Sequence, residues 1–307
     1  MSSLPHDKQE TKEKMTRKSD LTINTGGQLM DFSTPRVMGI LNVTPDSFYA
    51  SSRKYDERSI EERTREIVSQ GGDIIDIGAY STRPGWIYHR QDDVSEEEEA
   101  RRLRMALAIV RRVAPDVPVS IDTFRADIAR MTVEEYGAAI INDVSGGDDE
   151  MYRTVAELGV PYILMHIGGT IDDMHSDSPL TSHSDASVPY MQSVMRFLAE
   201  RIDRLRSFGA RDIILDPGFG FGKSMEQNYH LLSHLDDFGI FSLPVLVGVS
   251  RKSMIWRLLG TDAAGALGGT TVCNTIGLLK GADILRVHDV AAAVEAVRIT
   301  QKAAECY

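Results

Sequence analysis

The chain has 307 residues, 42% hydrophobic and 26% charged, which suffices for a buried core in one large domain or two small ones. Its formal net charge of -11 argues against a general binder of nucleic acids or membrane surfaces, while leaving room for a local basic cluster that holds an anionic small molecule. Two cysteines, Cys273 and Cys306, lack metal-ligand spacing and point to a reducing, cytoplasmic setting without a disulfide framework.

Residues 1–20 are polar and contain no apolar h-region, so they read as a disordered tail and not as a secretory signal, with Met15 as a second candidate start. Residues 21–307 read as a single domain, and no apolar run in it is long enough to span a bilayer. TINTGGQLMDF (22–32) reads as a hairpin with a Gly-Gly turn, placed to plug the lower end of a barrel. From residue 37 onward, short β-rich apolar runs alternate with helical stretches. The runs are 37–41, 74–78, 118–122, 138–143, 162–166, 213–216, 244–248 and 283–287. Near-continuous apolar runs fit parallel strands covered on both faces.

Between these runs, SIEERTREIVSQGG (59–72) opens on an S-x-x-E capping pattern and ends in glycine. SEEEEARRLRMALAIVRRV (95–113) places carboxylates at its start and arginines at its end, as the helix dipole prefers. Residues 190–209 and 289–305 are patterned alike. Eight strands alternating with helices over about 270 residues predict an α/β TIM barrel, with a doubly wound open sheet as the alternative.

In such a barrel, functional residues cluster just beyond the C-terminal strand ends. The ends carry Asn42, the YSTRPG run (80–85), Asp122-Thr123, Asn142-Asp143, His166, Asp216, Ser250-Arg251-Lys252 and Arg286-Val287-His288. DPGFGFGKS (216–224) imitates a phosphate-binding P-loop but has Pro217 where the first glycine is required, so it reads as a glycine-rich βα-loop that brings backbone close to a ligand. Asp122-Thr123 reads equally as a helix cap, Asn142-Asp143 as a brace for loop amides, and His166 alone as a buried structural histidine. Gathered on one rim, Asp122, Asn142 and Asp216 suit a planar heterocycle with several N–H groups. Lys252, Arg251, Arg286 and His288 suit phosphoryl oxygens, with Ser253 opening the next helix. Neither a nucleophilic triad nor a zinc ligand set is evident.

The stretches GILNVTPDSF (39–48), STRPG (81–85), SIDTFR (120–125), INDVSGG (141–147), Met165-His166, DPGFGFGK (216–223), VGVSRKS (247–253) and RVHDV (286–290), in this order, resemble the dihydropteroate synthase family across nearly the whole chain. The resemblance implies a cytoplasmic TIM-barrel transferase of folate biosynthesis, usually a homodimer and a sulfonamide target, with no nucleic-acid or membrane partner. It joins 6-hydroxymethyl-7,8-dihydropterin pyrophosphate to p-aminobenzoate, giving 7,8-dihydropteroate and pyrophosphate. It further implies Asp122, Asn142, Val144, Met165, Asp216, Phe221, Gly248 and Lys252 around the pterin, with Lys252, Asp216 and Asp122 as the catalytic set. Thr82, Arg83, Pro84, Phe221, Ser253 and Phe48 would form the p-aminobenzoate pocket. Arg286, His288 and Asn42 would hold pyrophosphate, and Asn42 would touch the Mg2+ cofactor.

Against the family pattern, Ala50 stands where an aspartate is frequent, Tyr80 where a glutamate is, and Gly168 where a longer polar residue is. WIYHRQDD (86–93) lengthens the second loop. A methyl-transferring relative of the same barrel would need neither STRPG, SRK nor Arg286 and His288. A catalytically silent pterin-binding module would not need Lys252, Arg286 and Asn42 together. GALGGTTVCNTIGLLKGA (265–282) is rich in small and apolar residues; internal packing explains that pattern as well as a dimer face does, so the dimer rests on the resemblance.

Overall fold

The computed structural model describes residues 21–43, 53–80, 94–168 and 189–306, the side chains of 53–56 excepted. The hairpin comes first: β1 (Thr22–Thr25) pairs antiparallel with β2 (Gln28–Asp31) in the register Thr25 opposite Gln28. Its two-residue turn needs positive φ at both central positions, and Gly26 and Gly27 supply 67° and 92°.

Eight parallel strands then alternate with helices. These are β3 (Arg36–Asn42), α1 (Arg53–Ser69), β4 (Ile74–Gly78), α2 (Glu96–Val113), β5 (Val119–Asp122), α3 (Ala126–Tyr136), β6 (Ile140–Asp143) and α4 (Asp149–Leu158). They continue with β7 (Tyr162–Met165), α5 (Tyr190–Phe208), β8 (Ile213–Asp216), α6 (Met225–Ser233), β9 (Leu246–Val247), α7 (Ser253–Leu259), α8 (Leu267–Leu279), β10 (Ile284–Val287) and α9 (Val290–Ala304). The sheet runs β8-β7-β6-β5-β4-β3-β10-β9, and a parallel bridge from Leu215 to Val245 joins its two ends. This is the TIM barrel expected from the pattern, not the open sheet.

Two sequence expectations shift. The seventh strand is shorter than 244–248, because Pro244 has no N–H to donate and serves only as an acceptor for the Leu215 amide. The first helix begins at Arg53, so Ser59 lies inside it and is not its first cap; an Arg58–Glu62 pair at 2.6 Å supports the added turn. Elsewhere the end signals hold. Ser95 caps α2 by accepting the Glu98 amide, and α5 stops at Gly209 with φ 100°.

Strand periodicity then builds two cores. Outward residues such as Val37, Ile75, Ile77, Val119, Ile121, Leu164 and Leu215 pack under the helices. Inward residues at the N-terminal strand ends, Met38, Ile74, Ile140, Ile163, Ile214, Leu246 and Ile284, form a separate apolar tier. Ile23 and Phe32, at the two ends of the hairpin, are buried in that tier and close the barrel floor as expected.

Candidate active site

Moving two residues along each strand from the apolar floor keeps a side chain inside the barrel and raises it one tier. That step leads from Ile74 to Asp76, Ile140 to Asn142, Ile163 to Met165, Ile214 to Asp216, Leu246 to Gly248 and Ile284 to Arg286. On β5 the corresponding inward residues are Ser120 and Asp122, whose strand register is Asp76 beside Ser120 and Gly78 beside Asp122. The polar residues read from separate strand ends therefore meet at one mouth.

Arg286 stands at the centre of the group. Its Nε donates to Asp76 Oδ2 at 2.7 Å and its Nη2 to Asp122 Oδ2 at 2.7 Å. Asn142 donates to both oxygens of Asp76 at 3.3 Å. The bury-and-pair logic is plain: two carboxylates inside a barrel require a cation, and a guanidinium offers the fork that reaches both. Burial raises the Asp122 pKa; Arg286 opposes that shift and the Asp76 charge adds to it. Asp76 is wholly buried and went unnoticed in the sequence, although an aspartate inside the apolar run IIDIG was a signal that it faces a polar interior.

Across the mouth, Asp216 accepts the Gly218 amide at 2.7 Å, and burial raises its pKa against the pull of Lys252. Lys252 donates to the Phe219 carbonyl and lies 4.6 Å from the centre of the Phe221 ring. Burial lowers its pKa to about 8, with Asp216 raising it. Its chain runs beside Gly220 and Gly248: a Cβ on Gly220 would sit at contact distance from Lys252 Cδ, 3.6 Å, and one on Gly248 4.0 Å from Nζ. Val144, Met165 and Ile167 form an apolar wall with Phe197 and Phe221, and the His166 ring meets Phe197 edge-on at 4.8 Å.

The end of DPGFGFGKS has a structural task. Ser224 and Gln227 form a capping box that starts α6. Lys223 turns inward and donates to the carbonyls of His166 at 3.0 Å and Gly218 at 2.6 Å, tying two mouth loops together. Gly218 has φ 69°, and a Cβ there would overlap the His166 carbonyl oxygen, so only glycine admits this approach. Lys223 was likewise missed; its sequence neighbourhood suggested only the failed P-loop.

Other expected residues separate. Arg251 is not a phosphate donor at the mouth. Its guanidinium makes a bidentate pair with Asp289 and reaches the carbonyls of Ala263 and Ala264, because its backbone turns left-handed at φ 53°. His288 is held by Ser250, whose Oγ accepts the His288 amide and lies 3.1 Å from Nδ1. Ser253 is the first residue of α7. Asp143 faces outward and braces the next loop, accepting the Ser145 amide and the Tyr162 hydroxyl. Thr123 does not cap α3; it accepts the Arg125 amide and donates to buried Glu99. Phe48, Ala50, Thr82, Arg83, Pro84 and the 86–93 insertion lie outside the described residues.

Two of the sequence departures are accommodated locally. Tyr80 meets Phe124 edge-on at 5.4 Å, with the Arg125 guanidinium over both rings. Gly168 lies against the next loop, where an added Cβ would be 3.4 Å from the Phe221 carbonyl oxygen. For a metal, no group of three or more His, Cys, Asp or Glu gathers among the described residues. Asn42 Oδ1 and Asp122 Oδ2 do flank Gly78, each 3.6 Å from where a Cβ would lie there. Such hard oxygens suit magnesium when a substrate phosphate and waters complete its shell.

The family model described as pterin binding enzyme matches residues 38–288. The dihydropteroate synthase of Escherichia coli strain K12 is 39% identical over 280 residues, covering 90% of this chain and 94% of that protein. Among solved structures, the Yersinia pestis dihydropteroate synthase in complex with a sulfonamide drug superposes with a TM-score of 0.81 at 36% identity, covering 94% of this chain and 100% of the other. The Xanthomonas albilineans dihydropteroate synthase with 4-aminobenzoic acid gives 0.79 at 35% identity, covering 92% and 97%. The mouth that gathers Asp122, Asn142, Asp216, Lys252 and Arg286 is thus carried by a chain that belongs to the pterin-binding enzymes, in the dihydropteroate synthase family.

Proposed function

We infer that the barrel mouth divides the work of its family's reaction among the residues just described. The chain is a transferase that condenses 6-hydroxymethyl-7,8-dihydropterin pyrophosphate with p-aminobenzoate to 7,8-dihydropteroate and pyrophosphate. The division of roles is supported above all by the convergence of Asp122, Asn142, Asp216 and Lys252 around an apolar wall. Acceptors on Asp122 and Asp216 match the N–H groups of a pterin edge, and Asn142 adds an amide. Met165, Val144 and Phe221 cover the ring faces. Asn42 and His288 face the pyrophosphate end, and Arg286 acts chiefly from the pterin floor, where Asp76 and Asp122 occupy it. Ser253 and Phe221 border p-aminobenzoate together with Thr82, Arg83, Pro84 and Phe48.

The C–O bond to pyrophosphate breaks, the amine forms the C–N bond at the pterin methylene carbon, and the proton then lost from that nitrogen passes to the departing pyrophosphate or to solvent. A neutral arylamine needs no strong base, so the protein's work is to stabilise charge. Asp216 and Asp122 favour positive charge on the pterin as the bond to pyrophosphate loosens, and His288 faces the departing anion. Magnesium, held by Asn42 with the substrate phosphates, would supply Lewis-acid stabilisation of that anion.

A homodimer is part of this proposal, and one outer face supports it. Leu258 and Leu259 on α7, Val272, Ile276 and Leu279 on α8, and Ile299 on α9 are exposed, while Cys273, Gly277 and Leu278 of α8 are buried. Both readings of that helix thus have a share: one side packs inward and the other offers an apolar face for a second copy. Among the described residues no helix is long and apolar enough to cross a membrane.

Pteroate formation from both substrates with magnesium is the test, run beside Asp216→Asn. Turnover by the wild-type chain that collapses in the variant supports the reading. Tight pterin binding without turnover would identify a silent binding module.

A further inference from the structure

Two mouth loops carry opposite ends of one substrate in the reading above. The loop after β9 bears Lys252, on the pterin side, and the loop after β10 bears His288, on the pyrophosphate side. Their relative position is fixed by adjacent contacts. Ser250, 6% exposed, accepts the His288 amide at 3.1 Å and meets its Nδ1. Arg251, the next residue, forms two hydrogen bonds of 2.8 and 2.9 Å with Asp289, the residue after His288. The Arg251 amide donates to Thr270 on α8 at 3.0 Å, and Nη1 donates to Ala263 and Ala264 at 2.8 Å. Arg63, from α1, grips the His288 carbonyl at 2.5 Å.

A left-handed backbone is unfavourable at a residue with a Cβ such as Arg251 and persists only where surrounding contacts over-determine it. Here φ 53° is the turn that points the guanidinium away from the mouth toward Asp289, while Lys252, one residue later, points into it. Arg251 holds the Asp289 carboxyl below its ordinary pKa, so the pair is ionised on both sides near neutrality.

We propose that the Arg251–Asp289 pair is a positioning clamp that sets the distance between Lys252 and His288, and thereby the fit of a substrate whose heterocycle and diphosphate must be held at once. It rests on the assignment of those two residues to opposite ends of the pterin pyrophosphate. The clamp touches neither end. Loosening it should therefore leave the binding of each separate fragment intact and penalise only the joined molecule and its turnover.

The test compares Arg251→Gly, which retains the left-handed backbone without the guanidinium, and Asp289→Asn, which keeps the shape without the charge. Arg104→Ala breaks another bidentate pair, with Glu135 between α2 and α3, and serves as a control. Both clamp variants should lower kcat/KM for the pterin pyrophosphate by roughly 10–100-fold. Their affinities for inorganic pyrophosphate with magnesium and for 6-hydroxymethylpterin, measured by calorimetry, should stay within about twofold, and Arg104→Ala should change neither. Unchanged kcat/KM in both folded variants would overturn the clamp, as would parallel weakening of both fragments, which marks general disorder. His288→Ala separates the underlying assignment: if it leaves pyrophosphate affinity unchanged, the site reading fails, whatever the clamp variants do.

Discussion

The floor and the mouth of this barrel are one step of two residues apart, yet they follow opposite rules. On the floor, Ile74, Ile140, Ile214 and Ile284 meet Ile23 and Phe32, and every contact lowers the free energy of the folded chain with nothing left to pair. One tier up, the same strands present Asp76, Asn142, Asp216 and Arg286, polar groups that need partners: Asp76 is met by Asn142 and Arg286, and Asp216 by the Gly218 amide and the charge of Lys252. The floor gains from being filled; the mouth carries an electrostatic cost that a ligand's polar edge can reduce. The difference teaches where to read stability and where to read chemistry in the same eight strands.

The largest blow should fall where that electrostatic balance hinges. Arg286→Met leaves Asp76 and Asp122 facing each other without a cation, and should cost about 3–5 kcal/mol in urea unfolding as well as nearly all turnover. If Arg286→Met unfolds at the wild-type urea concentration, the pairing does not govern the mouth. Phe32→Ala is the matching cut in the floor. It should also cost about 3–5 kcal/mol, while kcat of the folded enzyme stays within about twofold. A large drop in kcat with little loss of stability would erase the distinction between the tiers.

How much of this was legible beforehand follows the same line. The strands, the hairpin turn and the barrel came from apolar runs and Gly-Gly spacing, because local sterics and burial on both faces dictate them. Asp122, Asn142 and Asp216 were legible as polar residues ending apolar runs. Asp76 sits inside its run and not at its end; a charge among apolar residues marks it, and strand parity across neighbours then assigns it to the barrel interior. Arg251 and Lys252 are adjacent cations in sequence; only the backbone turn at Arg251 sends one to Asp289 and the other to the mouth. Lys223 was hidden for a similar reason, since its carbonyl partners at His166 and Gly218 depend on a loop contact between strands.

Lys252→Ala removes a mouth group that the fold does not need for pairing with a single carboxylate. Turnover should fall by roughly 10²–10³, the effect of one preorganised donor, while the unfolding midpoint moves little, because deleting a buried ammonium and taking the counter-charge from Asp216 oppose each other. Loss of stability comparable to Phe32→Ala would place Lys252 with the structural residues instead.

The smallest effect is a pH limb that separates two buried lysines. Burial lowers Lys252 to about 8 and Lys223 to about 7, below an ordinary lysine in both cases. Losing the proton removes the charge Lys252 presents beside the Phe221 ring and Asp216, so kcat/KM should fall as pH rises past about 8, approaching tenfold per unit. Lys223 should give no limb near 7, because a neutral amine still has two N–H groups for the carbonyls of His166 and Gly218. Stability moves the other way. Both folded pKa values lie below the unfolded one, so between pH 8 and 9 the unfolded chain binds more protons and these two groups make folding more favourable as pH rises. Activity that declines over this interval while these groups favour the fold assigns the loss to the charge on Lys252; a profile in Lys252→Ala that keeps the same alkaline limb would assign it elsewhere.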